Sequence, residues 1–247
     1  MCPMSMKKLQ GMPAAVLMLL SVPALASMGT VDGGVSLSQT RMVFLATDKA
    51  QSLTVKNTGQ QRYLIQSRVQ RAPDDTSSAP FLVTPPLFTL QPDSRQLLRI
   101  VPQGGELPAD RESVFTLSVL AIPAQAESNA TAAARVSMGI RFGLKLFYRP
   151  AGLKDRAEAL SCRLQVSTAP GGIRIENPTP YYQTFGRLTL DGLPVTLDAR
   201  SSMLAPHSAQ HYPATGRVIQ ANWQTLTDEG GLSTPCGQSV DSAQEKS

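Results

Sequence analysis

Short runs of alternating or β-branched residues, cut apart by turn-forming clusters, constrain this chain more than any other feature. The runs are Val35 to Phe44, Leu53 to Lys56, Tyr63 to Val69, Phe81 to Thr84, Gln96 to Val101, Val114 to Leu120 and Val136 to Tyr148. Between them lie Asn57-Thr58-Gly59, Pro73-Asp74-Asp75, Pro92-Asp93-Ser94 and Gln103-Gly104-Gly105. A strand sends successive side chains to opposite faces, so alternation marks a half-buried strand and the clusters mark reversals. Seven such strands at this spacing predict an antiparallel sandwich of immunoglobulin type. No long stretch carries the helical period. The 19 Pro and 18 Gly are spread along the chain, which suits many short strands and turns rather than disorder.

Arg149-Pro150-Ala151-Gly152 interrupts the longest run and reads as a hinge. A second β set follows: Cys162–Ser167, Gly172–Asn177, Tyr181–Leu190, Val195–Leu197 and Arg217–Leu226. The expected fold is therefore all-β, with two immunoglobulin-like β-sandwich domains joined at the hinge. From Gln238 onward the chain is small and polar and is expected to fray.

Lys7 and Lys8 precede an apolar run from Ala14 to Val22, and Ala24-Leu25-Ala26 supplies a small-x-small cleavage pattern. Residues 1–26 thus read as a secretory signal peptide. The run is far shorter than the roughly 20 residues that span a bilayer, and Cys2 lies too early for a lipid-modified cysteine. The expectation is an exported soluble protein with domains at 27–149 and 150–240 and a polar tail at 241–247. Removing the two basic residues of the signal from the 23 in the chain leaves 21 against 18 acidic, a formal charge of +3. That balance, with no run of five or six like charges, is no nucleic-acid signature.

Two cysteines remain after the signal, Cys162 and Cys236. An even pair in an exported chain points to one disulfide, with two buried thiols as the alternative. They do not supply the four ligands of a zinc site. His207 and His211 are bracketed by Pro206 and Pro213 and read as exposed loop residues. No Gly-x-Ser-x-Gly elbow, phosphate-cradling glycine loop or dense carboxylate pair is present. The chain is expected to have no catalytic residues, no metal and no cofactor.

Three segments resemble the periplasmic pilus (fimbrial) chaperones of the chaperone–usher pathway. Phe81-Leu82-Val83-Thr84-Pro85-Pro86-Leu87-Phe88-Thr89-Leu90-Gln91-Pro92 is similar to the family's proline-bearing loop and following strand. Lys145-Leu146-Phe147-Tyr148-Arg149-Pro150 resembles the end of the last strand of its first domain. Asn177-Pro178-Thr179-Pro180-Tyr181-Tyr182 resembles its second-domain turn. The resemblance implies a boomerang-like arrangement of the two domains and a periplasmic location. It also implies a non-enzymatic role: binding pilus subunits that lack a final strand, and delivering them to an outer-membrane usher. A self-capping dimer of the free protein is compatible with it. Either Thr84-Pro85 or Pro85-Pro86 could be cis.

In that family an edge strand of the chaperone fills the subunit's groove, a known instance of β-strand addition. Read as a strand, Arg135–Leu146 puts Val136, Met138, Ile140, Phe142, Leu144 and Leu146 on one face. By position the donor residues are Val136, Met138 and Ile140, while Phe142, Leu144 and Leu146 belong to the core. Burying three such side chains is worth about 5–9 kcal/mol before ordering costs. Lys145 matches the family's cleft lysine and Arg41 its first-strand arginine, which together anchor the subunit's terminal carboxylate. Arg99, Glu112, Arg149 and Asp228 match charged residues linking the domains, where surface pairs contribute about 0–1 kcal/mol. The short Ala124–Ala133 loop resembles the family branch serving rod-like pili. An exported immunoglobulin-like adhesin or a pilus subunit is the rival reading. Residues 27–34 lack the alternating apolar extension a subunit carries, and the seventh run is intact.

Overall fold

The computed structural model describes residues 33–73, 75, 79–124, 138–153, 155–198 and 202–240. The proposed signal peptide, Val136 and the tail from residue 241 lie outside them. The first domain contains β1 (Val35–Leu37), β2 (Arg41–Leu45), β3 (Gln51–Asn57), β4 (Tyr63–Gln70), β5 (Phe81–Thr84), β6 (Leu87–Leu90), β7 (Arg95–Pro102), β8 (Ser113–Pro123) and β9 (Ile140–Arg149). One sheet has the order β1-β3-β7-β5 and the other β2-β9-β8-β4-β6. Their inner faces meet through Leu53, Val55, Leu98 and Ile100 on one side and Phe44, Ile65, Leu117 and Leu146 on the other, all buried. Phe81 packs edge-on against both Phe44 (5.1 Å) and Phe115 (5.3 Å), tying the sheets together.

The second domain begins with a 3₁₀ helix (Ala157–Arg163). It continues through β10 (Gln165–Ala169), β11 (Gly172–Asn177), β12 (Gln183–Leu190), β13 (Leu193–Pro194), β14 (Met203–Leu204), β15 (Ser208–Pro213), β16 (Gln220–Thr225) and β17 (Cys236–Ser239). Sheets β10-β11-β15 and β13-β12-β16-β17, with β14 beside β12, enclose Ile173, Ile175, Phe185, Tyr212 and Trp223. Cys162 and Cys236 form a disulfide with Cα atoms 5.2 Å apart. It fastens the helix to β17 beside Trp223, whose indole N–H donates to the Ser161 carbonyl at 2.9 Å.

Several sequence expectations need correction. The run Val35 to Phe44 is two strands: β1 pairs with β3 in one sheet and β2 with β9 in the other, so the chain changes sheets at Ser38–Thr40. The last strand of the first domain begins at Ile140, where β8 stops pairing with it at Ala121. Cys162 lies in the helix, not in a strand. Val195–Leu197 is not a strand, because the β12–β13 hairpin is only two pairs long. His211 lies on β15 rather than in a loop, and β17 extends into the stretch expected to fray. Of the two candidate bonds, Thr84-Pro85 is cis.

Candidate functional site: an open strand edge ending at two cations

Strand β2 runs parallel to β9 and covers it only from Lys145 to Arg149. Strand β8 covers the other side of β9 from Ile140 to Tyr148. The segment Ile140–Leu144 therefore has, among the described residues, one neighbour and one bare edge. Backbone groups on such an edge are a template for another strand. The apolar side chains change environment along it: Leu146 and Leu144 are buried and Phe142 is half-buried against the core. Ile140 is then 51% exposed and Met138 76%. An apolar row that starts in the core thus runs out into solvent beside unpaired backbone.

Arg41, the first residue of β2, stands opposite Lys145 in this parallel register, so both side chains leave the same face of the sheet. Arg41 is not a loose surface cation. One of its terminal nitrogens donates to the carbonyls of Leu226 (3.1 Å) and Thr227 (2.9 Å), and the other to Thr184 Oγ1 at 3.2 Å, all in the second domain. Its guanidinium lies 5.0 Å from the Phe147 ring centre. Burial pushes its pKa below the ordinary value while Asp228, Glu112 and Glu158 pull the other way; it remains a cation at physiological pH. Lys145 is half-buried and has no hydrogen-bond or ion-pair partner among the described residues.

Three of the four expected linking charges come together. Arg149, at the end of β9, donates from Nε to Glu112 at 2.9 Å and from both terminal nitrogens to Asp228 at 3.0 Å. The other Glu112 oxygen accepts the Tyr182 N–H at 2.9 Å. The turn carrying Tyr182 is held by buried Asn177, which donates to the Tyr181 and Ala205 carbonyls and accepts from Thr179. The Arg149 guanidinium also sits 5.0 Å from the Tyr181 ring centre. These are not surface pairs: the Arg149 and Glu112 side chains are only 6% and 2% exposed. Burial pushes the Glu112 carboxyl up, against the opposing pull of Arg149 and the Tyr182 N–H. Burial alone would lower Arg149, but its bonds to Asp228 and the neighbouring carboxylates raise it. Arg99 stands apart from this cluster, exposed on β7 in the other sheet between Ser52 and Thr84.

Two family profiles match this chain. "Pili and flagellar-assembly chaperone, PapD N-terminal domain" covers residues 34–154, and "Pili assembly chaperone PapD, C-terminal domain" covers residues 155–236. The chain belongs to the PapD family of pilus-assembly chaperones. The Salmonella typhimurium chaperone protein LpfB is 36% identical over 211 residues, 85% of this chain and 90% of LpfB. The Escherichia coli chaperone protein PapD is 32% identical over 87% of this chain and 90% of its own. Among solved structures, a chain of the Salmonella enterica SafA pilin–SafB chaperone complex superposes with a TM-score of 0.76 at 32% identity. That match covers 85% of this chain and 98% of the other.

Within this chaperone the sequence reading missed the partners of its own site residues. Thr184 and the Leu226 and Thr227 carbonyls hold Arg41, yet the latter act through backbone, which no side-chain pattern reveals. Phe147, buried under Arg41 and 5.8 Å from the Tyr182 ring, was legible only as one more apolar residue. Arg156, which bonds Glu158 at 2.6 Å and pairs with Glu229, extends the charged network beyond the four expected residues.

Proposed function

We propose that this chaperone works in the periplasm, holding incomplete pilus subunits by lending them the edge of β9 and delivering them to an outer-membrane usher. The observation that carries the reading is the gap over Ile140–Leu144, because its geometry dictates what fits. A guest strand in that gap lies in line with β2 and ends where Arg41 and Lys145 stand. Two cations favour a carboxylate over an amino terminus at that point, so the guest's C-terminal end faces them and the guest runs parallel to β9. Arg41 can serve there while still gripping the second domain. Of its five N–H donors three are engaged, leaving Nε–H and one terminal N–H to donate to a carboxylate.

Met138 and Ile140, with Val136 as the third donor residue, enter the guest's groove in this reading. Glu112, Arg149 and Asp228 keep the second domain where its carbonyls can hold Arg41. In the absence of a guest, the same edge is what a second copy of the chaperone would cover. The test is co-expression with each subunit encoded beside it, followed by isolation of one-to-one periplasmic complexes. Ile140→Asp should abolish the complex without lowering chaperone yield. Wild-type recovery from that variant, or a chain that polymerises alone, would overturn the reading.

A further inference from the structure

Beside Lys145 the outer face of the β2-β9-β8-β4-β6 sheet carries a pocket of about 180 Å³. Thr116 and Ser118 of β8 line it with Arg141, Gly143 and Lys145 of β9, and Gln70 and Pro73 complete its wall. Thr116 and Ser118 are only 7% and 5% exposed, and neither hydroxyl has a hydrogen-bond partner among the described residues. Lys145 adds an ammonium with no partner among the described residues. Hydroxyls that face a pocket beside a cation are what a carboxylate satisfies.

Gly143 connects this pocket to the bare edge. It lies on the outer face of β9 between Arg141 and Lys145, and a Cβ placed there would meet only the Thr116 methyl, at 3.7 Å. Without a side chain at Gly143, the outer face of β9 is open from the edge to the pocket. A guest strand on the edge sends alternate side chains to each face. Those on the inner side meet Met138 and Ile140, and one on the outer side lies abreast of Gly143. From there the hydroxyls lie across β9, two strand spacings or roughly 10 Å from the guest backbone, a gap that the two side chains and the hydrogen bond between them must bridge. Glutamate closes that gap and aspartate falls short.

We infer that Thr116 and Ser118, sharing the Lys145 ammonium with the chain-end anchor, form a second recognition site, which takes a glutamate side chain from the outward face of the guest strand across Gly143. The inference rests on the proposed use of the β9 edge and adds a polar reading of the guest to the apolar one. It makes selection among clients depend on both faces of their terminal strand.

The probe is a set of synthetic peptides alternating valine and threonine, ending in a free carboxylate, with glutamate placed at each outward threonine in turn. Binding is measured by calorimetry. Glutamate at one position should tighten binding about tenfold, the worth of one charge-assisted hydrogen bond, and aspartate there should give little. The preference should vanish in the Thr116→Val/Ser118→Ala double variant and in Gly143→Val, while Gly143→Ala checks that the strand tolerates substitution. Peptides with amidated ends should keep the preference, which separates a side-chain carboxylate from the chain end. An equal gain at every position, or a gain that survives the double variant, overturns the inference. A parent peptide whose affinity is unaffected by Ile140→Asp instead sinks the edge reading beneath it.

Discussion

Arg149→Leu removes the cation that bonds both Glu112 and Asp228, and the structure sets the size of the loss. Glu112, with its side chain 2% exposed, is left charged in a dry site, whereas Asp228 at 17% can turn to water. Stranding a buried charge in this way costs about 3–5 kcal/mol. Glu112 can escape by taking up a proton, and that sets a ceiling. Neutralising an ordinary glutamate, pKa about 4.3, costs about 3.7 kcal/mol at pH 7 and about 1 kcal/mol at pH 5. The folded variant then holds a proton that the unfolded chain releases, so its stability falls as pH rises above the ordinary glutamate range. The wild type carries the same slope in smaller degree, since burial already raises Glu112. Arg149→Leu should therefore lose about 3–4 kcal/mol at pH 7 and about 1 kcal/mol at pH 5. Urea unfolding reads this out, using far-ultraviolet circular dichroism and the fluorescence of the single tryptophan, Trp223, buried in the second domain. Adding Glu112→Gln should recover part of the loss at pH 7. A loss below about 1 kcal/mol at pH 7, or an equal loss at both pH values, would refute the reasoning.

Other outcomes follow from the same contacts. Lys145→Ala should end client capture with no loss of stability. Arg41→Ala should end capture and also destabilise the protein by about 1.5–3 kcal/mol, because its charged hydrogen bonds reach the second domain; equal unfolding midpoints for the two variants would contradict this. Replacing both Cys162 and Cys236 by serine removes a cross-link spanning 74 residues. Chain entropy puts the cost at no more than about 4–5 kcal/mol. It should appear in the Trp223 signal while the first domain's unfolding is unchanged.

The fold was largely legible because a two-residue period survives in the sequence wherever one face of a strand is buried. Gly172–Asn177 was read to the residue for that reason. The period fails where pairing partners, rather than burial, decide. Nothing local tells Val35–Leu37 from Arg41–Leu45, because the switch between sheets depends on β3 and β9. The second domain was harder because Leu193–Pro194 and Met203–Leu204 are too short to show alternation. At the site, the apolar row and the Arg41–Lys145 pair were visible as residue types in a motif. The bare edge was implied by the resemblance alone, and its extent was not legible, since it depends on β2 pairing with β9 only from Lys145 onward. The burial of Glu112 and Arg149 was equally hidden, and led to too small an energy for a pair closed in by Tyr181 and Tyr182.

The central claim is that a guest occupies the border of β9 left open by β2. Amide hydrogen exchange on the free chaperone and on its complex with one purified subunit tests it directly. Amides of Ile140–Leu144 that point away from β8 should exchange quickly in the free protein and become strongly protected in the complex. Protection confined to other surfaces, with those amides exchanging as before, would contradict the account.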